Sequence, residues 1–166
     1  MNAQRALKIL NEAYKIEVEG YTFYKNAEKE DMSDEAKTIF NFLANEEKQH
    51  EDYIASQIKN VKEKGIFGNI ELERINDKVK EKFFLDSIKV AQNQTITESS
   101  ALHIGILLEK NSYDFYTDAE KESEDPEEAK LYSELAEWEL NHLNILQSAY
   151  KAVREKIFAD QNFSPF

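Results

Sequence analysis

Two short motifs carry chemistry in this chain: Glu47-Lys48-Gln49-His50 and Glu139-Leu140-Asn141-His142. A spacing of three on a helix puts a carboxylate and an imidazole on one face, about 5–6 Å apart at Cβ, close enough to close on one metal ion. A further glutamate precedes each motif by thirty residues: Glu17 before Glu47 and Glu109 before Glu139. The chain holds only three histidines, and two of them sit in the motifs. Carboxylates with imidazoles suit a hard or borderline metal, iron or manganese before a soft one. There are no cysteines, so disulfides, iron–sulfur clusters and thiolate zinc sites are excluded.

The two motifs belong to an internal repeat. An offset of 92 residues lays Glu17 on Glu109, Tyr21 on Tyr113, Phe23 on Phe115, Tyr24 on Tyr116, Leu43 on Leu135, Ala44 on Ala136, Glu47 on Glu139 and His50 on His142 without a gap. Each half reads as a helix hairpin, about residues 3–60 and 97–159, within one domain spanning 1–166. The first helix is expected from Ala3 to Glu30, with Leu10, Tyr14, Glu17, Tyr21, Tyr24 and Glu28 on one face. The second starts after Ser33 as N-cap and turns Ile39, Leu43, Glu47, His50 and Ile54 inward. The third starts near Thr97 with Leu102, Ile106, Glu109, Tyr113 and Tyr116. The fourth opens on Asp125 as N-cap, Pro126 at the first helical position and Glu128 completing a capping-box-like pattern. Its inner face is Leu135, Glu139, His142, Leu146 and Ala149.

Within each hairpin the two glutamates lie equidistant from the turn, near Met32 and near Glu124, and so at one height. At 1.5 Å per residue both pairs lie roughly 20 Å from their turns, near mid-bundle. Six ligands can then converge: Glu17, Glu47, His50, Glu109, Glu139 and His142. This is the ligand arrangement of ferritin-like carboxylate bundles, one Glu from each of two helices and Glu-x-x-His from each of the other two. Two iron ions are the expected cofactor, with manganese or zinc as alternative occupants. Glu47 and Glu139 bridge, Glu17 and His50 are terminal on one ion, and Glu109 and His142 on the other. The expected fold is all-α: a ferritin-like four-helix bundle with a long crossover connection carrying short helices. That connection, roughly Val61 to Ile96, is broken early by Gly65 and Gly68 and is long enough to let the second and third helices run parallel.

The competing explanation is a duplicated hairpin with solvated charges. It fails because Glu47, His50, Glu139 and His142 interrupt apolar faces, where unpaired charges are very costly. Tyr24 and Tyr116 follow Glu17 and Glu109 by two turns and are candidates for hydroxyls bonded to ligand carboxylates; the alternative is plain aromatic core. His103 lies off the ligand face and reads as a surface or packing histidine. Trp138, beside Glu139, is expected to point to another helix interface.

The segments Glu17-Val18-Glu19-Gly20-Tyr21-Thr22-Phe23-Tyr24 and Glu46 to His50, with 109–116 and 137–142, resemble rubrerythrin-type ferritin-like proteins. The resemblance covers the four bundle helices. It implies a di-iron carboxylate site that reduces hydrogen peroxide to water in oxidative-stress protection. It also implies a homodimer, in some members with helix pairs exchanged. Two departures stand out. The rubredoxin domain that delivers electrons is missing, so an external electron-donor protein is implied. Rubrerythrins also carry a further ligand glutamate one turn after the third-helix glutamate, where this chain has Ser112. The six-ligand set equally resembles bacterioferritin, whose iron-storage role is the alternative function. Against it stand the long crossover and Lys48, at the place of the bacterioferritin haem-ligating methionine.

Bulk properties fit this reading. Four Gly and two Pro in 166 residues leave little punctuation for strands and turns, and 33% charged against 41% hydrophobic residues suits long amphipathic helices. A net charge of −12 disfavours nucleic acid and anionic membranes as partners. The N-terminal residues show no apolar run of signal-peptide length, and no window approaches a membrane span, so a cytoplasmic location is expected.

Overall fold

In the computed structural model, residues 2–68 and 96–160 are described. They form four helices and no strand: α1 (Ala3–Ala27), α2 (Asp34–Lys64), α3 (Ile96–Glu122) and α4 (Pro126–Asp160). The expected crossover helices between residues 70 and 94 lie outside the described residues.

The helix ends follow local chemistry. The Asn2 side chain caps α1 by accepting from the Arg5 N–H at 3.2 Å. Ser33 Oγ caps α2 by accepting from the Ala36 N–H at 3.2 Å, and Asp34 and Glu35 complement the helix dipole in the first turn. Asp125 Oδ1 accepts from the N–H groups of Glu127 and Glu128 at the start of α4. The Glu128 carboxylate does not complete the capping box. It is buried and faces the Arg5 guanidinium at 3.7 Å, tying the start of α4 to the start of α1. Gly65 ends α2 with φ +70°, a left-handed conformation that glycine adopts without the Cβ clash other residues meet. Helix α1 stops at Ala27 rather than Glu30, because the Lys29 and Glu30 N–H groups bond three residues back and tighten the chain into the turn. Glu28, expected on the inner face, instead pairs with Lys25 at 2.7 Å, and Ala27 takes the buried position.

Helix α1 packs chiefly on α2 and α3 chiefly on α4, as two hairpins, with a lighter contact between α1 and α3. The core divides into two apolar clusters. One gathers the end of α1, the starts of α2 and α3 and the end of α4, including Tyr24, Phe40, Leu43, Leu102, Leu146 and Val153. The other gathers the opposite ends, including Leu10, Ile54, Tyr116, Tyr132 and Leu135. Helices α2 and α3 therefore start at the same end of the bundle and run parallel, as the long connection permits. The repeat is visible in the packing. Tyr24 stacks with Phe40 at 6.0 Å at one end, and their equivalents Tyr116 and Tyr132 stack at 6.4 Å at the other.

Candidate metal centre

Between the two apolar clusters lies a polar layer. Glu17, Glu47, His50, Glu109, Glu139 and His142 are all buried there, none more than 4% exposed. Each of the six lies in a helix interior, so the backbone of the site is fixed by i to i−4 hydrogen bonds rather than by loops.

The distances have an internal logic. His50 Nδ1 lies 3.3 Å from Glu17 Oε2, 3.5 Å from Glu47 Oε2 and 3.2 Å from Glu139 Oε1. His142 Nδ1 lies 3.5 Å from Glu109 Oε2, 3.3 Å from Glu47 Oε1 and 3.9 Å from Glu139 Oε2. Glu47 and Glu139 thus face both imidazoles, each with a different oxygen, whereas Glu17 and Glu109 each face one. Ligand atoms of Glu47, His50, Glu139 and His142 lie within 4.8 Å of one another, a separation at which they could hold a metal ion. The two imidazole rings lie near-parallel, 5.3 Å apart.

Several of these groups have no hydrogen-bond partner although buried: Glu109 Oε2, Glu139 Oε1 and His142 Nδ1. Orphaned buried polar atoms are costly, and a cation is the partner this donor set fits. Four carboxylates also match the charge of two divalent ions. Without a cation the layer must distribute protons. Burial, then the Glu47 charge, pushes Glu17 up to about 8. Burial and the surrounding carboxylates push Glu139 well above the usual carboxylate range. Glu47 goes the other way: burial opposes its charge, but the two imidazoles it faces, His142 and His50, hold it well below the usual range. Burial alone would lower His50, and its bonds to Glu17 and Glu47 outweigh that and raise it to about 10. His142 is likewise raised well above its ordinary value, by Glu109 and Glu47 against burial.

Two tyrosines complete the layer. The Tyr24 hydroxyl donates to Glu109 Oε1, and the Tyr116 hydroxyl donates to Glu17 Oε1. Each tyrosine thus serves the glutamate of the other hairpin, a pairing no single-helix spacing reveals. Both are fully buried, and burial, reinforced by the carboxylate each one faces, raises their hydroxyls well above the usual tyrosine range. They stay neutral donors.

Trp138 does reach another helix, as expected, but what it meets there is the His50 ring, stacked at 4.7 Å and 13°. Its repeat equivalent is Glu46, so His142 has no matching indole. That asymmetry was readable in the sequence, where Trp138 falls on Glu46 directly before the repeated glutamates Glu139 and Glu47. His103 is exposed, with its ring 5.5 Å from Tyr150, away from the polar layer.

A comparison with known families bears on this layer. The rubrerythrin family pattern matches residues 8–150, which include all six buried residues and both tyrosines. The chain belongs to the rubrerythrin family. No curated protein and no solved structure gives a significant match. Membership of the rubrerythrin family and the buried Glu/His cluster together fit a di-iron site. No described helix is long and apolar enough to cross a membrane.

Proposed function

We propose that Glu17, Glu47, His50, Glu109, Glu139 and His142 hold two iron ions, and that the protein reduces hydrogen peroxide or dioxygen there with electrons from an external donor. The observation that carries this is the sharing pattern: Glu47 and Glu139 each turn separate oxygens to both imidazoles, which suits carboxylates placed to bridge two ions. Bound iron would supply the redox electrons and polarise the oxygen substrate.

The chain's own residues do the rest. Glu47 and Glu139 fix the separation of the two positions, and Glu17 with His50 and Glu109 with His142 close their outer sides. Tyr24 and Tyr116 orient the outer carboxylates by hydrogen bonds across the hairpins. The two apolar clusters exclude water along the bundle axis. Reduction of peroxide to two waters consumes two electrons and two protons. The electrons come from a donor protein, as the chain has no cysteine to build its own iron–sulfur or rubredoxin module.

The test is anaerobic loading with ferrous ion followed by peroxide. The expected result is saturation at two irons per chain, one peroxide consumed per two ferrous ions, and repeated turnover once a reductant is added. Continued iron uptake far beyond two per chain would instead mark an iron-storage protein of bacterioferritin type. We further propose a cytoplasmic homodimer, with a dimer mass in size-exclusion chromatography at micromolar concentration as the check; a monomer would refute it.

A further inference from the structure

One helical turn beyond the outer glutamates, both hairpins carry a small residue: Gly20 after Glu17 and Ser112 after Glu109, equivalent positions in the repeat. Both line a cleft of about 120 Å³ between α1 and α3. Its rim carries Glu19 and Asn111, which are exposed, and its floor is formed by the buried Glu47 and Glu109. The cleft therefore runs from the surface of the described residues to two carboxylates of the polar layer. Its volume leaves room for several waters.

Gly20 is what leaves the floor reachable. A Cβ at this position would stand 3.2 Å from Glu47 Cδ and 3.5 Å from its Oε1, so any longer side chain would occupy the approach to that carboxylate. The Ser112 hydroxyl donates to the Leu108 carbonyl at 3.1 Å, and its short side chain adds no carboxylate to the three that line the cleft. The opposite flank differs. Between α2 and α4 the Trp138 indole lies on His50 and meets Tyr53 edge-on at 5.9 Å, leaving the imidazole covered.

Among the described residues no lysine or arginine lines the cleft, and its polar groups are carboxylates, an amide and a hydroxyl. Such a lining suits a partly hydrated divalent cation, which exchanges waters for oxygen donors as it descends. We propose that the α1–α3 cleft is the route by which divalent metal ions reach the buried centre, with Glu19 drawing them in and Gly20 keeping the path open. This rests on the reading of the six residues as a two-metal site.

The experiment follows cobalt(II) loading of the metal-free full-length chain by stopped-flow absorbance, with final metal content measured separately. Gly20→Val should take up the same two ions at least about tenfold more slowly. Glu19→Lys should load several-fold more slowly at low salt, with the gap closing at high salt as the rim charge is screened. Asp52→Lys is the control. It makes the same charge change on the exposed side of α2, beside Lys48, and should load at the wild-type rate. Glu19→Lys loading as fast as Asp52→Lys, or Gly20→Val loading at the wild-type rate, would overturn the route. If Gly20→Val alters stoichiometry or fails to fold, the Glu19→Lys and Asp52→Lys pair decides alone. Wild-type protein that binds no ion would overturn the two-metal reading and the route with it. Two ions bound at equal rates by all variants would overturn the route alone.

Discussion

At the scale of single residues, the polar layer is a set of unequal roles. Glu47 and Glu139 face both imidazoles, while Glu17 and Glu109 face one each. Glu47→Ala or Glu139→Ala is therefore expected to abolish binding of both ions, whereas Glu17→Ala or Glu109→Ala should leave about one per chain. His103→Ala, outside the layer, should keep two. Metal analysis after dialysis reads all five, and full occupancy in Glu47→Ala would refute the bridging assignment. The tyrosines give a second expectation. Tyr116→Phe and Tyr24→Phe each remove a buried donor from a carboxylate while keeping the ring, so each should destabilise the metal-free protein by about 1–3 kcal/mol. Urea unfolding measures this. Similar losses in both variants are expected, because the two bonds are equivalent in the repeat; unchanged midpoints would show that the hydroxyls do not matter.

At the scale of elements, each helix is held at its ends by a different device, and the devices differ in worth. Ser33 does two jobs. It caps α2, and its Oγ and N–H also donate to the buried Glu98 at the start of α3, at 3.1 and 3.4 Å. That contact joins the two hairpins at one end, as Arg5 with Glu128 and with the Glu122 carbonyl of α3 joins them at the other. Ser33→Ala is expected to cost about 1–2 kcal/mol, at the upper end of the range for a lost N-cap. Gly65→Ala meets no neighbour within 4 Å among the described residues, so the expected cost is that of the backbone, about 1–2 kcal/mol for a left-handed residue with a Cβ. Denaturant midpoints of the two variants check both figures. A Gly65→Ala variant as stable as wild type would show that the end of α2 relaxes to another conformation.

At the scale of the whole molecule, the bundle encloses a layer whose proton content must change with pH when no metal is bound. Glu17 moves from an ordinary 4.5 to about 8 and His50 from 6.5 to about 10. In both cases the folded state binds its proton more tightly than the unfolded chain. Stability from Glu17 is fully present below about 4.5 and is lost as pH rises through 8. Stability from His50 is fully present below 6.5 and is lost as pH rises through 10. The Glu47 shift has the opposite sign, so its contribution is present above 4.5 and lost as pH falls through its depressed value. Between pH 5 and 9 the raised groups dominate, and the melting temperature of chelator-treated protein should fall as pH rises. Added divalent metal should reverse the trend, because ions displace those protons and bind more tightly at higher pH. Thermal scans at three pH values with and without metal test this. A metal-free melting temperature that rises from pH 6 to 9 would refute it.

The sequence by itself determined the helices, their pairing into hairpins and the six buried residues. The spacing of Glu47 to His50 and of Glu139 to His142 lies within one helix, where geometry is fixed by 3.6 residues per turn. The 92-residue offset then carried the same placement to the second half. Caps at Ser33 and Asp125 were legible for the same reason, as each acts on N–H groups two or three residues away. Only the tertiary structure decided what crosses between helices. That Tyr24 serves Glu109, that Trp138 covers His50, that Glu128 turns to Arg5 instead of back to its own cap, and that Gly20 opens onto Glu47 all depend on the rotation of one helix against another. A periodic pattern shows which face of a helix is buried. It does not show which residue of a distant segment that face will meet, because that is set by packing of the whole core.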